Sequence, residues 1–391
     1  MTMDEASAQL QTDLRDSVID ALGSNRPVLH HLNADSSWLL QIPRPPTALT
    51  RGGRYYFNIL IDPWLSGPQS DLASWFSQQW HATDSKVGSI AAAEELLRHT
   101  EILASGLRRG KGRKSNVDEM LENRETSSFI DVVMVSHEFT DHCHKETLLE
   151  VDKDVPVIAT EKAAALIRSW SHFRQVSDTP PFGAKDLDWH TTSIPPLPDW
   201  VGISRLVSKG DALYYHSAVL IAFNNGQNSN ESRHTNGDKH DSVNGESPME
   251  DSEAAEALIY TPHGIDHGTL NTVATASPPI RTLAFLHGLH DISLGKAQQL
   301  NLGAHNGLKA QRVLNAKYWV GTHDEVKRGG GLVSWFLKRK VISVGDALEQ
   351  EKQKTLTKKG TMEDGETNEM LQSFEETHWI DLENGESMVL L

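Results

Sequence analysis

Residues 129–149 read FIDVVMVSHEFTDHCHKETLL, and the fold turns on how this stretch is interpreted. The apolar, largely β-branched run FIDVVMV has the composition of a buried strand. It ends at Ser136, after which His137, Asp141, His142 and His144 crowd into eight residues around Phe139. CHKETLLEV continues with helical spacing, which puts the cluster on a strand-to-helix loop. VPVIAT and EKAAALIRSW repeat the alternation as strand and helix, giving a β-loop-α-β-α unit of an α/β protein.

Further strands flank this unit. SSWLLQIP and YYFNILIDPWL are short apolar runs bounded by Pro and Gly, and Asp62 closes the second. SIAAAEELLRHTEIL carries apolar residues at helical spacing, so residues 70–125 or thereabouts are expected to form an inserted helical lobe. ALYYHSAVLIAF and EALIYTPHGI are expected to pair across residues 224–256, a Asn-, Ser-, Gly-, Asp- and Glu-rich tract. That tract buries too little apolar surface to offset its chain entropy and is expected to be disordered. IRTLAFLHGLHD and AKYWVGTHDE supply two more strands, with a helix near residues 307–314 between them. The domain is expected to span residues 30–350, after a helical or loose leader over 1–29. A low-complexity linker over 351–377 and a hairpin over 378–391, turning on Asn384-Gly385, complete the chain.

The 391 residues include 38% hydrophobic side chains and ten Trp, enough for a sizeable core. A formal net charge of −16 argues against nucleic acid or an anionic membrane surface as partner. The basic run RRGKGRK at residues 108–114 is a local exception and reads as a solvated loop. The single cysteine, Cys143, excludes an internal disulfide and fits a reducing compartment. No apolar run reaches the roughly 18 residues of a spanning helix, and the polar, acidic start MTMDEASAQL is unlike a targeting peptide. A cytoplasmic protein is the expectation.

Polar clusters recur where apolar strands end: Asp62, then His137 to His144, His216 in YYHS, His263, His287 with His290, and His323. Groups at the same ends of several strands converge on one rim in α/β architectures. Imidazoles and a carboxylate in such a cluster suit zinc, with manganese or iron as alternatives. An ion held there lowers the pKa of a bound water, so hydrolysis is the chemistry that follows most directly.

The order of these motifs resembles the metallo-β-lactamase fold superfamily, in particular its broad branch of metal-dependent, lactonase-like and phospholipase-D-like hydrolases. NILIDPWL matches the first motif, a strand ending in Asp, at Asp62. SHEFTDH matches S-H-x-H-x-D-H except that Phe139 stands for the second His. His216 is the candidate for the third motif, and LIYTPHG puts His263 where the family has a bridging Asp. His323 in YWVGTHDE matches the last motif. The resemblance implies a four-layer αβ/βα sandwich and a divalent-metal centre drawn from His137, Asp141, His142, His216, His263 and His323. With Phe139 and His263 at two ligand positions, it implies one ion rather than two, held by Asp141, His142, His263 and His323.

Two functions follow from the resemblance. The first is a hydrolase of an ester, lactone, thioester, amide or phosphodiester, with Asp141 and His137 as catalytic groups and His287 and His290 near a small-molecule or acyl substrate. The second is a binding protein that keeps the fold without turnover. The Trp-rich segment with Trp64, Trp75 and Trp80 is expected either to cap the site or to pack in the core. Cys143 is expected to be a buried structural thiol, and His144 a less favoured ligand because its helix begins there.

Overall fold

A computed structural model describes residues 19–21, 23–50, 53–70, 75–109, 128–208, 215–226, 253–295, 298–330, 335–358 and 378–391. Expectations for the leader over residues 1–18, most of the basic loop, the tract over 227–252 and the linker over 359–377 lie outside the described residues.

The first sheet contains β1 (Val28–His31), β2 (Trp38–Pro43), β3 (Tyr56–Ile61), β5 (Val132–Val135), β6 (Val157–Ala159), β7 (Val176–Asp178) and β18 (Ser387–Val389). Its order is β18-β1-β2-β3-β5-β6-β7, antiparallel up to β3 and parallel from β3 to β7. The second sheet contains β8 (Val201–Val207), β9 (Ser217–Phe223), β10 (Ala255–Thr261), β11 (Ile280–His287), β14 (Tyr318–Val320) and β17 (Trp379–Ile380). It runs β17-β14-β11-β10-β9-β8. β9 and β10 pair antiparallel from Phe223↔Glu256 to Val219↔Tyr260, so the long tract between them joins hydrogen-bonded neighbours.

The period-2 alternation of these strands separates three cores. Leu29, Leu40, Ile59, Ile61 and Met134 of the first sheet meet Ile203, Val219, Ile221, Leu258 and Leu286 of the second. The opposite face of the first sheet, with Leu39, Leu60, Val133 and Val135, packs on Ile90, Ala93, Leu97, Ala163 and Ile167 of helices Ile90–Arg109 and Glu161–Ser169. Ile259, Phe285 and Trp319 of the second sheet pack on Leu308 and Leu314 of helix Ala304–Leu314 and on Ala347 of helix Val344–Lys358. The layers are therefore helix, sheet, sheet, helix.

The inserted segment over 70–125, as far as it is described, lays its helix on the first sheet as an outer layer. One expectation changes: residues 378–391 are not a hairpin. β17 adds parallel to β14 and β18 adds antiparallel to β1, so the turn at Asn384-Gly385 carries the chain from one sheet to the other. Gly385, at φ 89°, supplies the turn in both readings, and the distant strand partners decide between them. Helix Val344–Lys358 also runs into the start of the expected linker.

Two accessory sheets stand above the strand ends. One pairs β4 (Gln78–Trp80) with β15 (Arg328–Gly330); the other orders β13 (Gln298–Asn301), β12 (Asp291–Leu294) and β16 (Leu337–Lys340). Among the described residues, no helix is long and apolar enough to cross a membrane.

Candidate metal centre

The carboxyl ends of β3, β5, β10 and β14 bring Asp62, the residue 137–144 loop, His263 and His323 together. Asp62 is fully buried at φ 43°, a left-handed conformation that Asp tolerates better than most residues. Its carboxylate accepts from Ser136 N–H at 2.7 Å, from the Ser136 hydroxyl, from Tyr260 OH at 2.8 Å and from His142 Nδ1–H at 2.9 Å. The last bond fixes the imidazole so that Nε2 faces away from Asp62.

His142 Nε2 lies 3.1 Å from His263 Nε2. His263 Nδ1 is itself 3.1 Å from Asn301 Oδ1, an acceptor that requires the Nδ1–H tautomer. Two lone pairs therefore face one another unless a cation separates them. A proton is one such cation. Burial disfavours it, but Asp141 and Asp62 outweigh that and raise the His142 pKa. Burial, together with the neighbouring imidazoles, pushes His263 well below its usual value. A metal ion is the other. Two metal–nitrogen bonds of about 2.1 Å at a tetrahedral angle would separate the nitrogens by roughly 3.4 Å, close to the spacing observed.

His323 completes the group: ligand atoms of His142, His263 and His323 all lie within 4.8 Å of one another, and all three residues are buried. His323 also has a left-handed backbone, at φ 58°, held by its N–H donating to Asp35 O at 2.9 Å. Its Nδ1 is turned toward Asp35 Oδ2 at 3.1 Å. Asp141 lies at the edge of this group, with Oδ1 3.6 Å from His142 Nε2 and Oδ2 3.7 Å from His323 Nε2, and falls with Asp35 and His323 in a second group rather than with the three histidines. Burial would raise the Asp141 pKa, yet Lys327 and the surrounding histidines hold it well below the usual carboxylate range. Three imidazoles and one carboxylate are a chemically consistent donor set for a divalent transition ion.

The other expected residues are placed differently. His137 lies beside the centre, 5.4 Å from the His263 ring centroid to centroid, with Nδ1 3.0 Å from Glu138 Oε2. Its ring stacks on Phe139 at 4.1 Å, and Phe139 stacks on Tyr215 at 5.1 Å. His216 sits just before β9 and belongs to neither of the ligand groups found among the described residues. His144 caps the short helix Lys145–Leu148, its Nδ1 2.9 Å from Thr147 Oγ1. Cys143 is a buried free thiol. His287 is taken up by Gly288 O at 2.6 Å and Asn306 Oδ1 at 2.9 Å, and His290 faces Arg339 at 2.7 Å.

A cavity of about 590 Å³ adjoins the centre, and its lining includes Asp141, His263, His323 and Lys327 but neither His287 nor His290. Ile292 and Leu294, alternate residues of β12, line it together with Leu337, the cross-strand partner of Leu294. Phe76, Phe139 and Tyr215 also line it. Of the three tryptophans, Trp64 is buried and stacks on His81, while Trp75 and Trp80 are exposed and outside the lining.

Asp35, Lys327, Asn301, Tyr260 and Tyr215 carry no signal in a strand-end search for histidines. Asp35 lies in the turn between β1 and β2, where NADSS reads as ordinary turn chemistry. Lys327 follows His323 by four residues and was legible only as a charge on a polar loop.

The helix, sheet, sheet, helix layering is the αβ/βα sandwich of the metallo-β-lactamase type that the motif order implied. No family model matches the sequence, and no curated protein sequence matches it either. Among solved structures, the chain is similar to an isothiocyanate hydrolase from Delia radicum gut bacteria, at 14% identity, 92% coverage of this chain, 98% of that one and a TM-score of 0.43. It is also similar to Igni18, a metallo hydrolase from Ignicoccus hospitalis, at 11% identity, 93% and 98% coverage and a TM-score of 0.39. The metallo-β-lactamase fold protein YhfI from Bacillus subtilis matches at 7% identity, 93% and 99% coverage and a TM-score of 0.38. The roles of individual residues rest on this chain's own geometry.

Proposed function

We propose that this protein is a metal-dependent hydrolase that holds one divalent ion, zinc or alternatively manganese or iron, at Asp141, His142, His263 and His323. The observation that carries the reading is the facing pair of imidazole nitrogens, each oriented by a partner on its other nitrogen. A divalent ion held there supplies Lewis acidity toward a substrate carbonyl or phosphoryl oxygen and lowers the pKa of water. The chain's own groups do the rest. Asp62 and Asn301 keep two lone pairs aimed at one point. Asp141, held ionised, accepts a hydrogen bond from an attacking water and orients it. Glu138, whose own burial is outweighed by the hydrogen bond and charge of His137 so that its pKa falls to about 2, keeps a negative charge on the cavity wall beside His137.

The scissile bond in this reading is an ester, lactone, thioester, amide or phosphodiester. The apolar wall of Ile292, Leu294 and Leu337 favours a substrate with an apolar or acyl portion. The single cysteine supports a reducing, cytoplasmic setting.

Elemental analysis tests the reading. One equivalent of metal is expected in the purified protein, lost on His263→Ala and on Asp141→Ala, with turnover of one of these bond classes lost in parallel. A folded protein that takes up no metal would sink it. The alternative, a binding protein without turnover, is favoured by the aromatic stack at Phe139, where the family resemblance implies a ligand; it predicts bound metal and bound ligand with no product from any of the bond classes.

A further inference from the structure

Lys327 is the side chain of the centre that a metal site does not require. Its ammonium lies 2.8 Å from Asp35 Oδ2 and 2.8 Å from Asp141 Oδ2, and 3.5 Å from His323 Nδ1. The side chain is 7% exposed and sits over the Trp64 ring at 5.3 Å. Asp35, Asp141 and His323 themselves form a second buried group whose ligand atoms lie within 4.8 Å of one another, and it shares His323 with the first. Asp35 is fully buried, and its Oδ1 has no hydrogen-bond partner among the described residues. Two buried carboxylates side by side require a cation between them. In this chain the ammonium is already there.

We propose that Lys327 is a tethered second cation: its ammonium occupies the place between the carboxylates of Asp35 and Asp141, beside His323, where a second metal ion would sit, and so limits the centre to one. The inference rests on an ion being bound at His142, His263 and His323. A lysine suits the role because its charge is a compact point carried on a flexible four-carbon stem. It also accounts for Asp35, which no motif of the sequence singled out. Asp35 balances the ammonium and turns His323, whose Nδ1 faces its Oδ2. Lys327 remains on the cavity lining beside Asp141 and His323, so its charge is felt by whatever binds there.

The test counts metal equivalents and needs no activity. Native protein, Lys327→Ala and Lys327→Arg are titrated with Zn²⁺ and with Mn²⁺ by calorimetry, and bound metal is measured after desalting. One equivalent is expected for the native protein and for Lys327→Arg, and two for Lys327→Ala. The second equivalent should disappear in Lys327→Ala/Asp35→Ala. Lys327→Ser is carried alongside, and every variant is also refolded in excess Mn²⁺, so that one folding only around its ions is still counted. Two equivalents in the native protein, or one in a natively folded Lys327→Ala, would overturn the inference and leave the metal centre standing. No uptake by native protein or variant would remove both.

Discussion

Asp62→Asn separates the carboxylate's chemistry from its place in the fold. Asn tolerates the left-handed backbone at this position, so φ 43° need not change. The amide has one oxygen for the two that now accept four hydrogen bonds. The Ser136 backbone N–H cannot reverse its direction, so the amide oxygen must stay at the Oδ1 position and the NH₂ must take the Oδ2 position. There it meets Tyr260 OH, the Ser136 hydroxyl and His142 Nδ1. The hydroxyls can rotate to accept. The imidazole can accept only by moving its proton to Nε2, the nitrogen that faces His263. Loss of an orienting partner of this kind weakens metal binding by about 10- to 100-fold, or about 1.4–2.7 kcal/mol. The lost charge-assisted bond costs about 1.5–3 kcal/mol of folding stability as well. Chelator competition with Zn²⁺ measures the first effect and urea unfolding the second. A natively folded Asp62→Asn with unchanged metal affinity would refute the assignment of His142 Nε2 as a ligand.

Other outcomes follow from residues at different distances from the candidate centre. His144→Ala removes a helix cap and should cost about 1 kcal/mol of stability without changing metal uptake; loss of metal would make His144 a ligand after all. Leu337→Asp should lower kcat/KM for long-chain p-nitrophenyl esters at least about tenfold more than for acetate, whereas Trp75→Ala, exposed and away from the cavity, should leave the ratio alone; equal effects of the two would remove the apolar wall from specificity. Acid should unfold the protein partly through His30, fully buried, whose pKa burial lowers from 6.5 to about 4. The unfolded chain takes up the proton first, so this contribution is complete above pH 6.5 and drains away as pH falls toward 4, by about 3 kcal/mol in all. Urea-unfolding free energies of native protein and His30→Gln should converge over that interval; parallel curves would refute the assignment.

The neighbours of His30 fix which of its nitrogens donates. Asn58 Nδ2 donates to Phe129 O, which aims Asn58 Oδ1 at Gln41 Nε2; Gln41 Oε1 then faces His30 Nε2, and His30 Nδ1 faces Ser387 Oγ. The relay crosses β3, β2, β1 and β18, and it requires His30 Nε2 to carry a proton; in the neutral imidazole Nδ1 then accepts from the Ser387 hydroxyl. No pattern in the sequence announces it, because its members are drawn together by the pairing of the C-terminal strand with the N-terminal one. The same long-range pairing hid the fate of residues 378–391, whose Asn-Gly turn serves a hairpin or a crossing between sheets equally well. What could be read locally was the strand VVMV, the loop that follows it, and the positions of His263 and His323 at strand ends. Side-chain direction could not be read. His287 ends its strand as His263 does, yet its ring turns to Gly288 O and Asn306.

The loop after β14 shows why the site could be located while its composition could not. In GTHDEVKR the polar residues hold several separate stretches of the chain. Thr322 Oγ1 accepts from Trp38 Nε1, Asp324 accepts the Leu289 and His290 N–H groups, and Glu325 accepts those of Ala82 and Thr83 and pairs with His81. Arg328 donates to Ala82 O. Such a loop is held from several sides at once, so His323 can keep a left-handed backbone and Lys327 can be carried to a buried point between two carboxylates. On the other flank, Phe139 packs against both His137 and Tyr215, at the position where the resemblance implies a histidine ligand. One neighbouring position is thus filled by an aromatic ring and the other by an ammonium. Under the proposed function both changes favour one ion over two: the ring offers no lone pair, and the ammonium supplies the positive charge that the Asp35 and Asp141 carboxylates would otherwise share with a second metal.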